Sequence, residues 1–358
     1  MADTSLSIIS VYHSWMSKRL LELNWDLTHH LNPDEPFVWF AADNTPRGNT
    51  PEIDKGKFIT IRNTGIHAYH GMVSPHHASG INTCLPYVKT RFLLSLDNDL
   101  YIVRPRWISE VVDHMQKNDL AFFGVPWHVK DWVKYRHFPA VQGLFVDLDK
   151  VDLATLDFSP DLRFKNQFEV VNERKNYERA VKEKNKKSKL YGTLKSSLPA
   201  PISQSFGRLV RTLDVARRRK NIGIGRDTGY GVYRRYGNDM RFKREIVQTV
   251  YEPYTDGLLR KQINLPLNTV IEHILPERLC YFPKQKNYFS TSGFASKGYP
   301  SAAASQWEEF LWQDEPFAIN VHGSPSKTKK RHSTPEEEVA HVQSIVEQIS
   351  AHAKNTNA

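Results

Sequence analysis

Asp97-Asn98-Asp99 sets two carboxylates one residue apart at the end of an apolar run, Phe92-Leu-Leu-Ser-Leu96. Anionic groups that close repel each other unless a cation or protons neutralise them. A hard divalent ion takes oxygen ligands of this kind and also bridges phosphates. Asp and Asn are equally ordinary turn and cap residues, so the triplet alone also reads as a plain turn. Other chemistry-bearing groups are scattered along the chain. They are Tyr12-His13, Asp43-Asn44, the pair His76-His77, Asp227, and His322 with Lys327 shortly after it.

These groups need elements to position them, and the pattern supplies candidates. Leu6–Val11, Phe37–Phe40, Phe58–Ile61 and Phe92–Leu96 are short apolar runs that predict buried strands. Trp15, Leu20, Leu23, Leu27 and Leu31 have helical spacing, and a second helix is expected over His76–Tyr87 after Pro75. A helix follows Pro105 from Trp107 to Met115, and short strands are expected at Ala121–Phe123 and Leu144–Val146. Strands alternating with helices over 1–150 predict an α/β fold with a mainly parallel central sheet. Asp97 and Asp99 then lie past the carboxyl end of a strand, where open α/β sheets bind ligands.

Residues 151–220 break the rhythm. Between Lys165 and Lys220 there are 16 Lys/Arg against 5 Asp/Glu, so this stretch exceeds the whole chain's net charge of +10. Phe206, Leu209, Val210 and Leu213 alternate with Arg208, Arg211 and Arg217–Arg219. That amphipathic basic pattern suits a membrane surface or an acidic partner, and equally a solvated charged hairpin. No nucleic-acid motif accompanies the charge, which argues against a nucleic-acid partner. Regular structure is expected again over 221–323. In 324–358, Thr334-Pro335-Glu336-Glu337 has the form of a capping box ahead of a stripe, Val339, Val342, Ile345, Val346 and Ile349.

Composition bounds the rest. The chain has 358 residues and is 40% hydrophobic, enough for one large or two modest domains. No apolar run reaches the ~20 residues a membrane-spanning helix needs. The start, Met1-Ala-Asp-Thr-Ser5, has no basic leader region, and a cytoplasmic location is expected. Cys84 and Cys280 sit far apart in apolar surroundings and predict two inert buried thiols.

Taken in order, Tyr12-His13, Asp43-Asn44, Gly80-Ile-Asn82 and Asp97-Asn98-Asp99 resemble the nucleotide-sugar half of a glycosyltransferase of the GT-A fold, most similar to the inverting family 2. The resemblance covers roughly 5–150 and 221–323. It implies that Tyr12, Asp43, Gly80 and Asn82 line the donor pocket, with Asp43 on base or ribose. It implies that Asp97 contacts ribose or a metal-bound water, and that Asp99 holds Mn2+ or Mg2+. Asp227-Thr-Gly-Tyr-Gly-Val-Tyr-Arg234 resembles the family's acceptor-side motif. The usual acidic pair reads Arg226-Asp227 here, which leaves Asp227 as the implied catalytic base, followed by a strand at Met240–Phe242. Phe317-Ala-Ile-Asn-Val-His322 resembles the strand that supplies a further metal ligand, His322, with Lys327 placed to meet the leaving diphosphate. Trp127, after Gly124-Val-Pro126, offers an aromatic face for an acceptor sugar or an ordinary core residue.

The resemblance implies a nucleotide-sugar donor and a glycan or lipid-linked acceptor. The expected division is a donor-binding half over 1–150, a basic insertion over 151–220, an acceptor and base half over 221–323, and a terminal linker and helix over 324–358. Two other classes stay open. A nucleotidyltransferase shares the sheet but carries a Gly-rich basic loop after its first strand, where this chain has Tyr12-His-Ser-Trp15. A non-catalytic scaffold would bind an anionic membrane or polymer through 165–220.

Overall fold

The computed structural model describes residues 6–46, 56–64, 73–128, 135, 137–160, 227–250, 293–300, 307–321 and 334–355. Strand β1 (Leu6–Tyr12) is buried along its whole length. A strand buried on both faces belongs in the middle of a covered parallel sheet. β1 lies there, parallel to β2 (Phe37–Asp43), with Leu6 opposite Phe37 and Tyr12 opposite Asp43. On its other side it pairs in parallel with β4 (Phe92–Leu96), Leu6 opposite Phe92. Its buried serines are satisfied: Ser10 donates to the Leu96 carbonyl at 2.6 Å and accepts the Trp39 indole N–H at 3.0 Å.

β3 (Ile59–Arg62) extends this sheet beyond β2, while β7 (Gly143–Asp147), β6 (Phe122–Gly124) and β8 (Arg244–Ile246) extend it beyond β4. The order is β3-β2-β1-β4-β7-β6-β8, parallel throughout except where β7 meets its two neighbours. Gly124 marks the tightest point, since its φ is +151° and an added Cβ would sit 1.9 Å from the Gly143 carbonyl oxygen. Helices α1 (Trp15–Leu31), α2 (Val73–Cys84) and α3 (Trp107–Lys117) accompany the sheet. This is the mixed α/β arrangement with a mainly parallel central sheet expected from the sequence.

The sequence pattern did not indicate a second sheet. β5 (Leu100–Ile102), β11 (Glu315–Asn320), β10 (Glu308–Trp312) and β9 (Gln248–Thr249) pair in that order, antiparallel. β5 leaves the acidic triplet directly, so the triplet is the joint between the two sheets. The expected strand at Met240–Phe242 is instead a turn. The Asp239 carboxylate accepts from the Arg241 backbone N–H at 3.0 Å and from its guanidinium, and the strand forms two residues later as β8. A side chain that bonds its own backbone two residues on favours a turn over an extended ladder.

The helix expected at His76 begins at Val73, and the stretch Leu85–Tyr87 tightens to a 3-10 turn. Cys84 is buried and burial pushes its thiol up to about 12, which fits an inert role. The terminal helix α5 (Pro335–Asn355) starts with the expected capping box: Glu337 N–H donates to Thr334 Oγ1 at 3.2 Å and Thr334 N–H to Glu337 Oε2 at 2.8 Å. Its stripe of Val339, Val342, Val346 and Ile349 is buried together with Leu20, Leu27 and Leu31 of α1. No helix among the described residues is long and apolar enough to cross a membrane. The basic insertion from residue 161 onward, Cys280, His322 and Lys327 lie outside the described residues, while 151–160 pack against the sheet.

Ile349 is fully buried in this seam. Ile349→Ala is expected to cost about 2–5 kcal/mol, because a large-to-small change loses transfer free energy and leaves a cavity. Urea unfolding checks this, and a loss under ~0.5 kcal/mol would mean that α5 does not pack as described.

Candidate functional site

Three parallel strands bring their carboxyl ends to one edge. β1 runs out to Tyr12-His13, β2 to Asp43-Asn44 and β4 to Asp97. From β1 the sheet proceeds to β2 and β3 on one side and to β4 on the other. The strand order therefore reverses at β1/β4, the place where open α/β sheets leave a crevice.

The triplet's main chain is tied from all sides. Asp97 N–H donates to the Gln142 carbonyl at 3.0 Å, Leu100 N–H to the Asp97 carbonyl at 3.2 Å, and Val321 N–H to the Asp99 carbonyl at 2.9 Å. The Asn98 carboxamide reaches the carbonyls of Val11 and Ser17, both at 3.3 Å, so the middle residue fastens the turn to β1 and to the first turn of α1. Asn24, fully buried on α1, donates to the Leu100 carbonyl at 2.7 Å. Such ties fix where the two carboxylates stand before any ligand arrives.

Asp97 and Asp99 are both partly exposed. His77 Nε2 lies 3.4 Å from Asp97 Oδ1. Burial holds His77 down to about 4 against the opposing pull of the Asp99 charge. Burial also lowers His13, helped by His77 and opposed by Asp99. Both imidazoles are thus shifted toward the neutral form.

The residues present fit a divalent ion of the Mn2+ or Mg2+ type. Among the described residues no group of three or more His, Cys, Asp or Glu side chains forms a metal cage. Two carboxylates on a turn suit an ion that completes its shell with water and substrate phosphates.

Tyr12 and Asp43 come together behind this edge. Asp43 is 2% exposed. Its carboxylate accepts from Thr45 N–H at 2.9 Å, from the Thr45 hydroxyl and from the Arg62 guanidinium. Burial first, then the Asp43 charge, pushes the Tyr12 hydroxyl well above its ordinary range. Beside them, Asn44 donates to the His76 carbonyl at 2.6 Å and accepts from Asn63 at 2.9 Å.

Gly80 and Asn82 have structural work in the fold. A Cβ at Gly80 would sit 2.8 Å from Val11 Cγ1 and 3.0 Å from Asn44 Nδ2, so glycine is what lets α2 lie against the ends of β1 and β2. Asn82 accepts from Phe158 N–H at 3.0 Å and donates to Asp157 Oδ1 at 3.1 Å. Its carboxamide is committed to that segment.

Asp227 stands just before α4 (Tyr230–Tyr236). It is not the helix cap. That position belongs to Gly229, at φ +85°. Its Oδ1 accepts from Ser74 Oγ, at the start of α2, at 2.9 Å. Trp127 is half-buried, with its ring 6.4 Å from that of Tyr135, which in turn stacks on Tyr233 at 3.9 Å. Trp127 is therefore partly core and partly surface.

Several residues at this edge carry no motif. Arg62, Asn63, Ser74 and Asn24 are single polar residues whose side-chain partners are 16 to 153 positions away. Only the polar residue inside the apolar stripe of α1, Asn24, was a sequence signal, because a buried amide demands partners.

No protein-family model and no curated protein matches the chain. Solved structures give short local likenesses. TarS of S. aureus shares 14% identity over 34% of this chain and 35% of its own, at a TM-score of 0.25. The mannosyltransferase PcManGT from Pyrobaculum calidifontis, solved with GDP-Man and Mn2+, shares 11% over 41% of this chain and 45% of its own, at 0.29. The galactosyltransferase LgtC shares 14% over 40% of this chain and 58% of its own, at 0.28. The chain thus spans between about a third and three fifths of these proteins. Likenesses this weak transfer no residue role, and the site stands on its own geometry.

Arg62 is the cationic partner of a carboxylate with almost no solvent contact. Arg62→Ala is expected to lower stability by about 1–3 kcal/mol, the cost of leaving a charged hydrogen-bonded group without its donor. Arg62→Lys should recover only part, since one ammonium cannot reproduce the fork that reaches both Asp43 and Thr45. Equal urea midpoints for wild type and Arg62→Ala would contradict the pairing.

Proposed function

We propose that the protein is a metal-dependent glycosyltransferase, moving a sugar from a nucleotide-sugar donor to a hydroxyl of a glycan or lipid-linked acceptor with inversion. The observation that carries this reading is the acid pair held at the β1/β4 crevice by a turn tied to β1, to α1 and to Gln142. Asp97 and Asp99 hold the cation, and Val321, bonded to the Asp99 carbonyl, is the residue from which the chain continues to His322. That adjacency supports His322 as a further ligand and Lys327 as a contact to the diphosphate. Held there, the metal would supply neutralisation of the diphosphate's charge.

This chain's residues do the rest. Tyr12 and Asp43 receive the nucleoside at the ends of β1 and β2, with Gly80 and Asn82 placing α2 behind it. The acceptor oxygen attacks the anomeric carbon from the face opposite the diphosphate. The bond from that carbon to the diphosphate oxygen breaks and its electron pair leaves with the diphosphate. Asp227 accepts the hydroxyl proton as general base, and the exposed part of Trp127 offers a surface for the acceptor ring. The donor half is 1–150 and the acceptor half 221–323. The basic 165–220 stretch meets anionic membrane at the cytoplasmic face. A nucleotidyltransferase is disfavoured by the capped helix start Ser14-Trp15 after β1, where a phosphate-cradling glycine loop would be needed.

Thermal-shift measurements with UDP-, GDP- and dTDP-sugars, with and without Mn2+, test the reading. One nucleotide is expected to give a shift that requires Mn2+, and Asp99→Ala should abolish it. Asp227→Asn is expected to keep the shift and lose turnover by about a hundred-fold or more. Stabilisation by polyanions alone would point to the scaffold instead. Near wild-type turnover in Asp227→Asn would remove the base assignment.

A further inference from the structure

The start of α2 touches both chemical groups of the crevice. Ser74 Oγ donates to Asp227 Oδ1 at 2.9 Å, and the bond is reciprocated, since Thr228 Oγ1 donates to the Ser74 carbonyl at 3.0 Å. One helical turn later His77 Nε2 lies 3.4 Å from Asp97 Oδ1. Two turns after Ser74, Asn82 grips Asp157 and Phe158. The same segment holds the start of α4, because Gly229 N–H donates to the Phe158 carbonyl at 2.7 Å and Gly231 N–H to the Ser159 carbonyl at 3.0 Å. Gly231 has no room for a side chain there: an added Cβ would lie 2.3 Å from the Asp157 carbonyl oxygen. α2 therefore fixes the Asp227 segment at two points along its length while His77, one turn further on from Ser74, contacts the acid triplet.

We infer that Ser74 is a positioning residue, which with Thr228 locks the Asp227 carboxylate at a fixed place relative to Asp97 and Asp99. The inference rests on the proposal that Asp227 is the base, and it assigns α2 the role of a rigid spacer between donor and acceptor sides. A hydroxyl donor on a carboxylate restricts its rotation, and the paired Thr228 bond restricts the main chain that carries it. The expected signature is a fall in turnover with donor binding preserved.

The test uses the full chain and the sugar nucleotide giving the largest Mn2+-dependent thermal shift, with release of nucleoside diphosphate as the readout. Ser74→Ala is expected to lower kcat about ten- to a hundred-fold, in line with the cost of misplacing a reacting group. The donor's dissociation constant should stay within about two-fold. Ser74→Thr, which keeps the hydroxyl, should restore most of the rate, and Thr228→Val should lower kcat in the same direction as Ser74→Ala. Wild-type kcat in Ser74→Ala beside an inactive Asp227→Asn overturns the inference and leaves the base in place. A matched loss of donor affinity and kcat also overturns it, since Ser74 would then serve the fold of α2. An active Asp227→Asn overturns the base reading itself.

Discussion

The bracing of the Asp97-Asn98-Asp99 turn is the constraint around which the crevice is organised. That turn sets two acids one residue apart at the end of β4. Its N–H and C=O groups are committed to Gln142, Leu100 and Val321, and Asn98 and Asn24 clamp it from within. Burial lowers the pKa of both neighbouring imidazoles. Carboxylates held in place at a sheet switch point are the arrangement on which the proposed cation site rests.

The bracing extends into the joint between the sheets. Glu308 and His128 lie side by side, 3.7 Å apart and fully buried, and Asn320 links Glu308 to Gln142 at 3.1 and 3.2 Å. Gln142 is the residue whose carbonyl receives Asp97 N–H, and Asn320 is paired with Leu100. Buried polar networks of this kind cost desolvation free energy and are stabilising only when satisfied. Their placement directly behind the triplet ties the geometry of the acids to the packing of both sheets. Asp43 is held in a similar way on the other flank, by Arg62 and Thr45. On this account the edge of the sheet is preorganised.

Much of the scaffold was legible in the sequence. Strands buried on both faces appear as unbroken apolar runs, so β1, β2 and β4 stood out, and α1 and the capping box of α5 follow from local spacing. The second sheet did not stand out, because β5, β9 and β10 are short and gain their partners from residues up to about two hundred positions away. The strand expected at Met240–Phe242 failed for a local reason, the Asp239 turn. In the site, Asp97, Asp99 and Asp227 were readable as acids at element ends. Their supporting polar residues were not, since a lone Ser74 or Arg62 has no pattern until the fold supplies its partner. Gly80 and Asn82 were found as a motif, yet their contacts in the fold are a close helix approach and a loop tie.

The most direct test of the central claim is a Mn2+ titration followed by electron paramagnetic resonance, with a nucleoside diphosphate present. The account predicts that the free-ion signal is quenched to about one equivalent per chain by the wild type and persists with Asp99→Ala. A free-ion signal unchanged by wild-type protein across UDP, GDP and dTDP would contradict a cation site at the triplet.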